Sequence, residues 1–212
     1  MIAALFVETD GAYFNLPGVE PFDKSRDART YNGDWRVIAH PPCERWGNFW
    51  YGGLMLHKQG KRKILGDDGG CFASALAAVR RCGGVLEHPR YSRAWPAFGI
   101  AKPPNEGGWI PAGDDMGWTC CVYQGSYGHQ ALKPTWLYYV GPNPPELQWG
   151  KPAGNFRPVS GRNFKSTADR RAAIDSGWRD APRLSSKERA HTPTEFRDLL
   201  IDLARRAPSK ED

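Results

Sequence analysis

Three segments of the chain hold residue types that do covalent or acid–base chemistry. In order they are His40-Pro41-Pro42-Cys43, then Glu87-His88-Pro89, then residues 127–135, which contain His129, Gln130 and Lys133. A cysteine beside two prolines sits in a stiff loop, where its thiolate can be presented as a nucleophile. A carboxylate in the second segment can hydrogen-bond or protonate the same substrate. Pro42 and His88 flank these two groups. Lys133, Gln130 and His129 add groups suited to a ring or a phosphate. Singly, each has a plainer use: a lone cysteine is most often a small buried hydrophobe, and Glu before His-Pro commonly sits in a surface turn. Their order, each behind an apolar strand-like run, points to a site.

The elements that must position them follow from the apolar pattern. Residues 3–7 are a short apolar run ended by Asp10-Gly11, and read as a buried first strand and not as a secretory leader. Residues 35–39 form a second strand that delivers the chain into the cysteine loop. The alanine-rich stretch from Cys71 to Cys82, between Asp67-Asp68-Gly69-Gly70 and Gly83-Gly84, predicts a helix. Val85-Leu86 then opens a third strand. Strand, loop, helix, strand is a βαβ unit, and open α/β sheets collect chemistry at the carboxyl ends of such strands, where Cys43 and Glu87 fall. Residues 118–122 and 135–140 predict two more strands, completing a catalytic α/β domain over 1–140.

Residues 141–183 are rich in Pro, Gly, Arg and Asn without periodicity, and read as an irregular connector. A C-terminal helical segment, 184–207, should pack on the same domain, with 208–212 a polar tail. Ser185-Ser186-Lys187-Glu188 reads as one helix start. Thr192-Pro193-Thr194-Glu195 reads as a better one, with His191 and Thr192 as caps, Pro193 inside the first turn, and Phe196, Leu199, Leu200 and Leu203 on one face.

Composition sets the setting. With 212 residues and a net charge of +6, the chain is long enough for one domain and basic enough to suit a polyanionic partner such as DNA. No apolar run approaches the ~20 residues that span a bilayer. Five irregularly spaced cysteines without a C-x-x-C pair argue for reduced thiols in a cytoplasmic setting, against a disulfide framework or structural zinc. Trp46, Phe49, Trp50 and Tyr51 could stack a base or pack as core or lid. Lys58, Lys61, Arg62 and Lys63 could follow phosphates or form a solvated loop. Asp67 and Asp68 could hold magnesium, though an acidic helix start explains them more simply.

Pro42-Cys43 after one strand and Glu87 after the next resemble motifs IV and VI of the C5 pyrimidine (cytosine-5) DNA methyltransferases, and their separation of 44 residues is similar. Residues 127–135 fall where that family carries motif VIII. The stretches ALFVE, HPPC, DDGGCF, LEHP and HTPTEF also resemble small methyltransferase-like proteins of phages and prophages. The resemblance implies a Rossmann-like, methyltransferase-type sheet with flanking helices. It implies that Cys43 adds to C6 of a flipped or single-stranded pyrimidine in DNA while Glu87 contacts N3. It further implies S-adenosylmethionine held near Glu8, Asp10 and Gly11.

The sequence also departs from the family. It has one glycine after the first strand where the family has several, and 37 residues from Phe6 to Cys43, short of the family's usual stretch. His88 replaces an Asn, Lys133 and Thr135 replace arginines, and no large target-recognition domain follows. A retained nucleophile beside a shortened cofactor half suits transfer onto an activated 5-hydroxymethylpyrimidine, as in phage DNA hypermodification. An S-adenosylmethionine-dependent cytosine methyltransferase, an inactive DNA-binding or anti-restriction protein, and an enzyme of free nucleotides are the alternatives.

Overall fold

The computed structural model describes residues 1–48, 50–52, 59–60, 63–113, 117–157, 168, 171–172, 175 and 184–208. One seven-stranded mixed sheet organises them, built from β1 (Ile2–Leu5), β2 (Val19–Phe22), β3 (Arg36–Ala39), β4 (Gly84–Pro89), β5 (Ile110–Pro111), β6 (Trp118–Tyr123) and β7 (Pro134–Val140). The order across the sheet is β2-β1-β3-β4-β7-β6-β5. The first four strands run parallel, and β7, β6 and β5 continue antiparallel. Among the described residues the sheet is accompanied by the helices α1 (Cys71–Cys82), α2 (Ala94–Ala97), α3 (Ser186–Ala190) and α4 (Thr194–Arg206).

Alternation along the strands sends side chains to two cores. Leu5, Val37, Ala39, Leu86, Cys121, Trp136 and Tyr138 meet Phe72, Leu76 and Val79 of α1 and Trp95 of α2. Ala4, Ile38, Val85, Val122, Leu137 and Tyr139 meet Phe196, Leu200 and Leu203 of α4, with Leu199 at the margin. Because both faces are covered, the strands read as nearly continuous apolar runs. Full burial of Phe196, Leu200 or Leu203 contributes about 1.5–3 kcal/mol each.

The predicted βαβ unit is present, with β3 and β4 parallel and α1 crossing between them. Gly84 lets the two strands close: a Cβ there would lie 2.0 Å from the Val37 carbonyl oxygen, and its φ is 121°. The sequence pattern missed β2 and β5. Pro21 interrupts β2, which is tolerated because β2 is a sheet edge, and β5 has only two residues. The expected capping of α4 by His191 and Thr192 is corrected. Pro193 takes the N-cap position with extended backbone (φ −61°, ψ 152°) and no side chain caps the helix. His191 instead closes α3, its N–H donating to the Lys187 carbonyl. The helix start at Ser185 holds, with a reciprocal Ser185–Glu188 capping box. No helix among the described residues is long and apolar enough to cross a membrane.

Candidate active site

The chemistry-bearing residues gather at the carboxyl ends of β3 and β4, on the side of the sheet that carries α4. His40 leaves β3 with its N–H on the Leu5 carbonyl at 3.0 Å. Its Nδ1 lies 2.9 Å from Glu87 Oε1 and its Nε2 lies 2.8 Å from the Tyr13 hydroxyl. The arrangement that satisfies every group has Tyr13 donating to Nε2 and Nδ1–H donating to the carboxylate. Burial first, and Glu87 second, push the Tyr13 phenol well above its ordinary pKa, so it keeps its proton. Burial raises the Glu87 carboxyl, but the hydrogen bond from His40 and the field of its cationic neighbours, Lys133 among them, outweigh it. Glu87 therefore titrates below its ordinary value and is an anion near neutral pH.

Cys43 is exposed, yet enough protein surrounds it that desolvation raises its thiol pKa. Glu87 raises it further, while the Lys133 ammonium opposes. Lys133 answers in kind: burial lowers its pKa, and Glu87 and Cys43 pull it back up. Its Nζ donates to the His191 carbonyl at 3.2 Å, at the entrance to α4. Thiol, carboxylate and ammonium thus form one coupled group, with the thiol protonated at rest.

The cysteine loop is anchored from below. The Cys43 carbonyl accepts from the Trp46 and Gly47 amides, both at 3.0 Å. Trp46 is buried against Phe72 and Phe98 and donates through Nε1 to Asp68 at 2.8 Å. Asp68 also accepts from the Gly70 and Phe72 amides at the start of α1. Trp46 is therefore a core anchor, and Asp68 serves the helix start as the simpler expectation held. Trp50 and Tyr51 are half-buried and meet edge to face. Phe49, Lys58, Lys61 and Arg62 lie outside the described residues. Among those described, no group of His, Cys, Asp and Glu is arranged to hold a metal.

Other expected site residues fall elsewhere. Pro42 is exposed beside Cys43. His88 points to the opposite sheet face, 1% exposed. Its Nδ1 pairs with the Ser92 hydroxyl at 2.6 Å, its ring stacks near Trp95, and burial drops its pKa to about 4. It sits beneath the cysteine loop, near the Pro41 and Pro42 carbonyls. His129 is buried and accepts from the Ala131 amide. Gln130 is exposed and bonded to Arg157 at 2.5 Å. Both brace their loop, and only Lys133 of that segment joins Cys43 and Glu87. Glu8 and Asp10 are exposed on the β1–β2 connector. Gly11 is required by its own turn, since a Cβ would lie 2.7 Å from the Glu8 carbonyl.

Sequence pattern did not single out His40 or Tyr13. His40 had a signal, standing at a strand end three residues before Cys43; Tyr13, in an unpatterned connector, had none. Comparison with known proteins gave no matching family model and no matching curated sequence.

Proposed function

We propose that the protein is a transferase that modifies pyrimidine bases in DNA, with Cys43 attacking C6 and Glu87 holding N3. The observation that carries this is the pairing of an exposed thiol with an ionised carboxylate, fixed by His40, at adjacent parallel strand ends. The ionisation state favours one ring over another. A thymine-type ring carries a proton on N3 and donates it to a carboxylate, whereas cytosine N3 has no proton and needs a protonated acid. Glu87, held below its ordinary pKa, suits the thymine-type ring of a 5-hydroxymethyluracil derivative.

In the proposed reaction Cys43 releases its proton to water and the thiolate forms a bond to C6. The ring electrons expel the leaving group from the activated 5-methylene, generating an exocyclic methylene. An incoming nucleophile adds there and loses its proton, and expulsion of the thiolate restores the C5–C6 double bond. Lys133 stabilises the thiolate and the developing oxyanion of the ring. The Glu8–Gly11 turn, closed on itself with the adjoining Tyr13 buried against His40, is a poor cradle for S-adenosylmethionine. The scheme draws nothing from that cofactor.

Thiolate addition at C6 makes C5 exchange its hydrogen with solvent, whatever the natural donor. Single-stranded oligonucleotides containing deoxyuridine or deoxycytidine, incubated in deuterated water and followed by NMR, test this. Exchange in deoxyuridine that disappears in Cys43→Ala is expected. Absence of exchange in both bases sinks the proposal, and exchange confined to deoxycytidine replaces it with a cytosine methyltransferase.

A further inference from the structure

The loop after β4 carries an exposed aromatic ring that the chemistry at Cys43 does not use. Tyr91 is 41% exposed and holds a left-handed backbone (φ 66°) that bulky residues rarely adopt. The Arg90 guanidinium lies 4.8 Å from its ring centroid and the Lys102 ammonium 5.5 Å. The Trp136 ring meets it edge to face at 5.8 Å, supporting it from the sheet side. Arg90 also donates to the Tyr123 hydroxyl at 3.0 Å, while its Nε is buried without a partner. Among the described residues, neither Arg90 nor Lys102 pairs with a carboxylate. Two cations left without an acid around a presented ring complement a base and its phosphates.

The loop that carries the ring is also tied to the segments that carry the site. Tyr91 follows Glu87 by four residues, and the Arg90 amide donates to the Pro134 carbonyl at 3.0 Å, next to Lys133. The Arg93 amide donates to the Trp46 carbonyl at 2.9 Å, tying this loop to the one that presents Cys43. Ser92 is pinned from beneath by His88.

We propose that Tyr91, Arg90 and Lys102 bind the nucleotide adjoining the target pyrimidine in a single-stranded segment. Tyr91 stacks the neighbouring base, and the two cations hold its phosphates, the exposed Lys102 side chain swinging from ring to phosphate. The strand is single because a base inside a duplex has both faces covered by its neighbours. The inference rests on the reading of DNA as the substrate.

Fluorescence anisotropy with a short fluorescein-labelled oligothymidylate, against a duplex of equal length and over a range of salt, tests it. Tyr91→Ala should weaken single-strand binding about tenfold, and Tyr91→Phe should restore it. Lys102→Gln should lower the slope of log affinity against log salt by about one, and Cys43→Ala should bind as the parent does. Circular dichroism checks that each variant folds. Equal binding by Tyr91→Ala and the parent, binding of duplex as tight as of single strand, or no oligonucleotide binding at all overturns the inference. If exchange at C5 fails while Tyr91-dependent binding persists, the proposed chemistry falls and the platform stands. If exchange proceeds unchanged in Tyr91→Ala, the platform falls alone.

Discussion

At the scale of the residue, the site is a contest of charges around one thiol. Glu87 disfavours the Cys43 thiolate and Lys133 favours it, so the two neighbours can be separated by their opposite effects. Glu87→Gln should lower the thiol pKa and speed iodoacetamide labelling of Cys43 near neutral pH by about threefold or more; Lys133→Met should slow it by a similar factor. Mass spectrometry of the Cys43 peptide over a range of pH reads both, with half-buried Cys71 as the internal reference. A Gln variant that labels more slowly would mean that Glu87 acts on Cys43 as a proton acceptor and not as a repelling charge. Cys43, Glu87 and Lys133 were readable because nucleophile, acid and cation each stand in a short, stiff, proline-marked segment. His40 was passed over because its partners, Tyr13 and Glu87, are 27 and 47 residues away. Such a pairing exists only once β1, β3 and β4 lie side by side.

At the scale of the element, what matters is how closely β3 and β4 can approach. Gly84 pairs with Val37, and the 2.0 Å distance that a Cβ would make to the Val37 carbonyl leaves no room for any side chain. Gly84→Ala should cost about 3 kcal/mol or more, through overpacking and an L-residue held at positive φ, and should lower Cys43–Glu87 coupling along with stability. Urea unfolding followed by tryptophan fluorescence checks the first, and the labelling experiment the second. Asp68→Ala removes the acceptor shared by Trp46, Gly70 and Phe72. It should cost about 1–2 kcal/mol and loosen the cysteine loop more than it lowers α1 content. Helices α1, α3 and α4 were legible from their start and stop signals or a single apolar face, and the buried strands from continuous apolar runs; α2, four residues long, was not. The edge strands were not: β2 contains a proline and β5 is two residues long. The antiparallel return of β7 beside β4 leaves no mark in local pattern, since a strand buried on both faces looks the same in either direction.

At the scale of the whole molecule, successive residues of one strand carry opposite electrostatic assignments. Glu87 faces the α4 side and is held ionised; His88 faces the α1 side and is held neutral, with a pKa near 4 against an ordinary 6.5. A base whose folded pKa is depressed binds its proton more readily in the unfolded chain, so stability falls as pH drops from 6.5 towards 4. Glu87 acts in a different window. Its folded pKa lies below the ordinary 4.5, so its contribution is intact above that value and is lost only further into acid. Between pH 7 and 5 the histidines therefore dominate, with His129 also lowered by burial and adding in the same direction. His88 alone should cost about 2 kcal/mol over that interval. Urea unfolding at stepped pH should show this loss in the parent, and a clearly shallower one in His88→Gln, which keeps a donor for Ser92 but cannot titrate. Because His88 lies directly under the loop that presents Cys43, its protonation should also release that loop before the fold is lost. Cys43 labelling, corrected for thiolate fraction, would then rise below pH 5 in the parent and stay flat in His88→Gln. A flat parent profile would mean that the loop is held by Trp46 and Asp68 without help from His88.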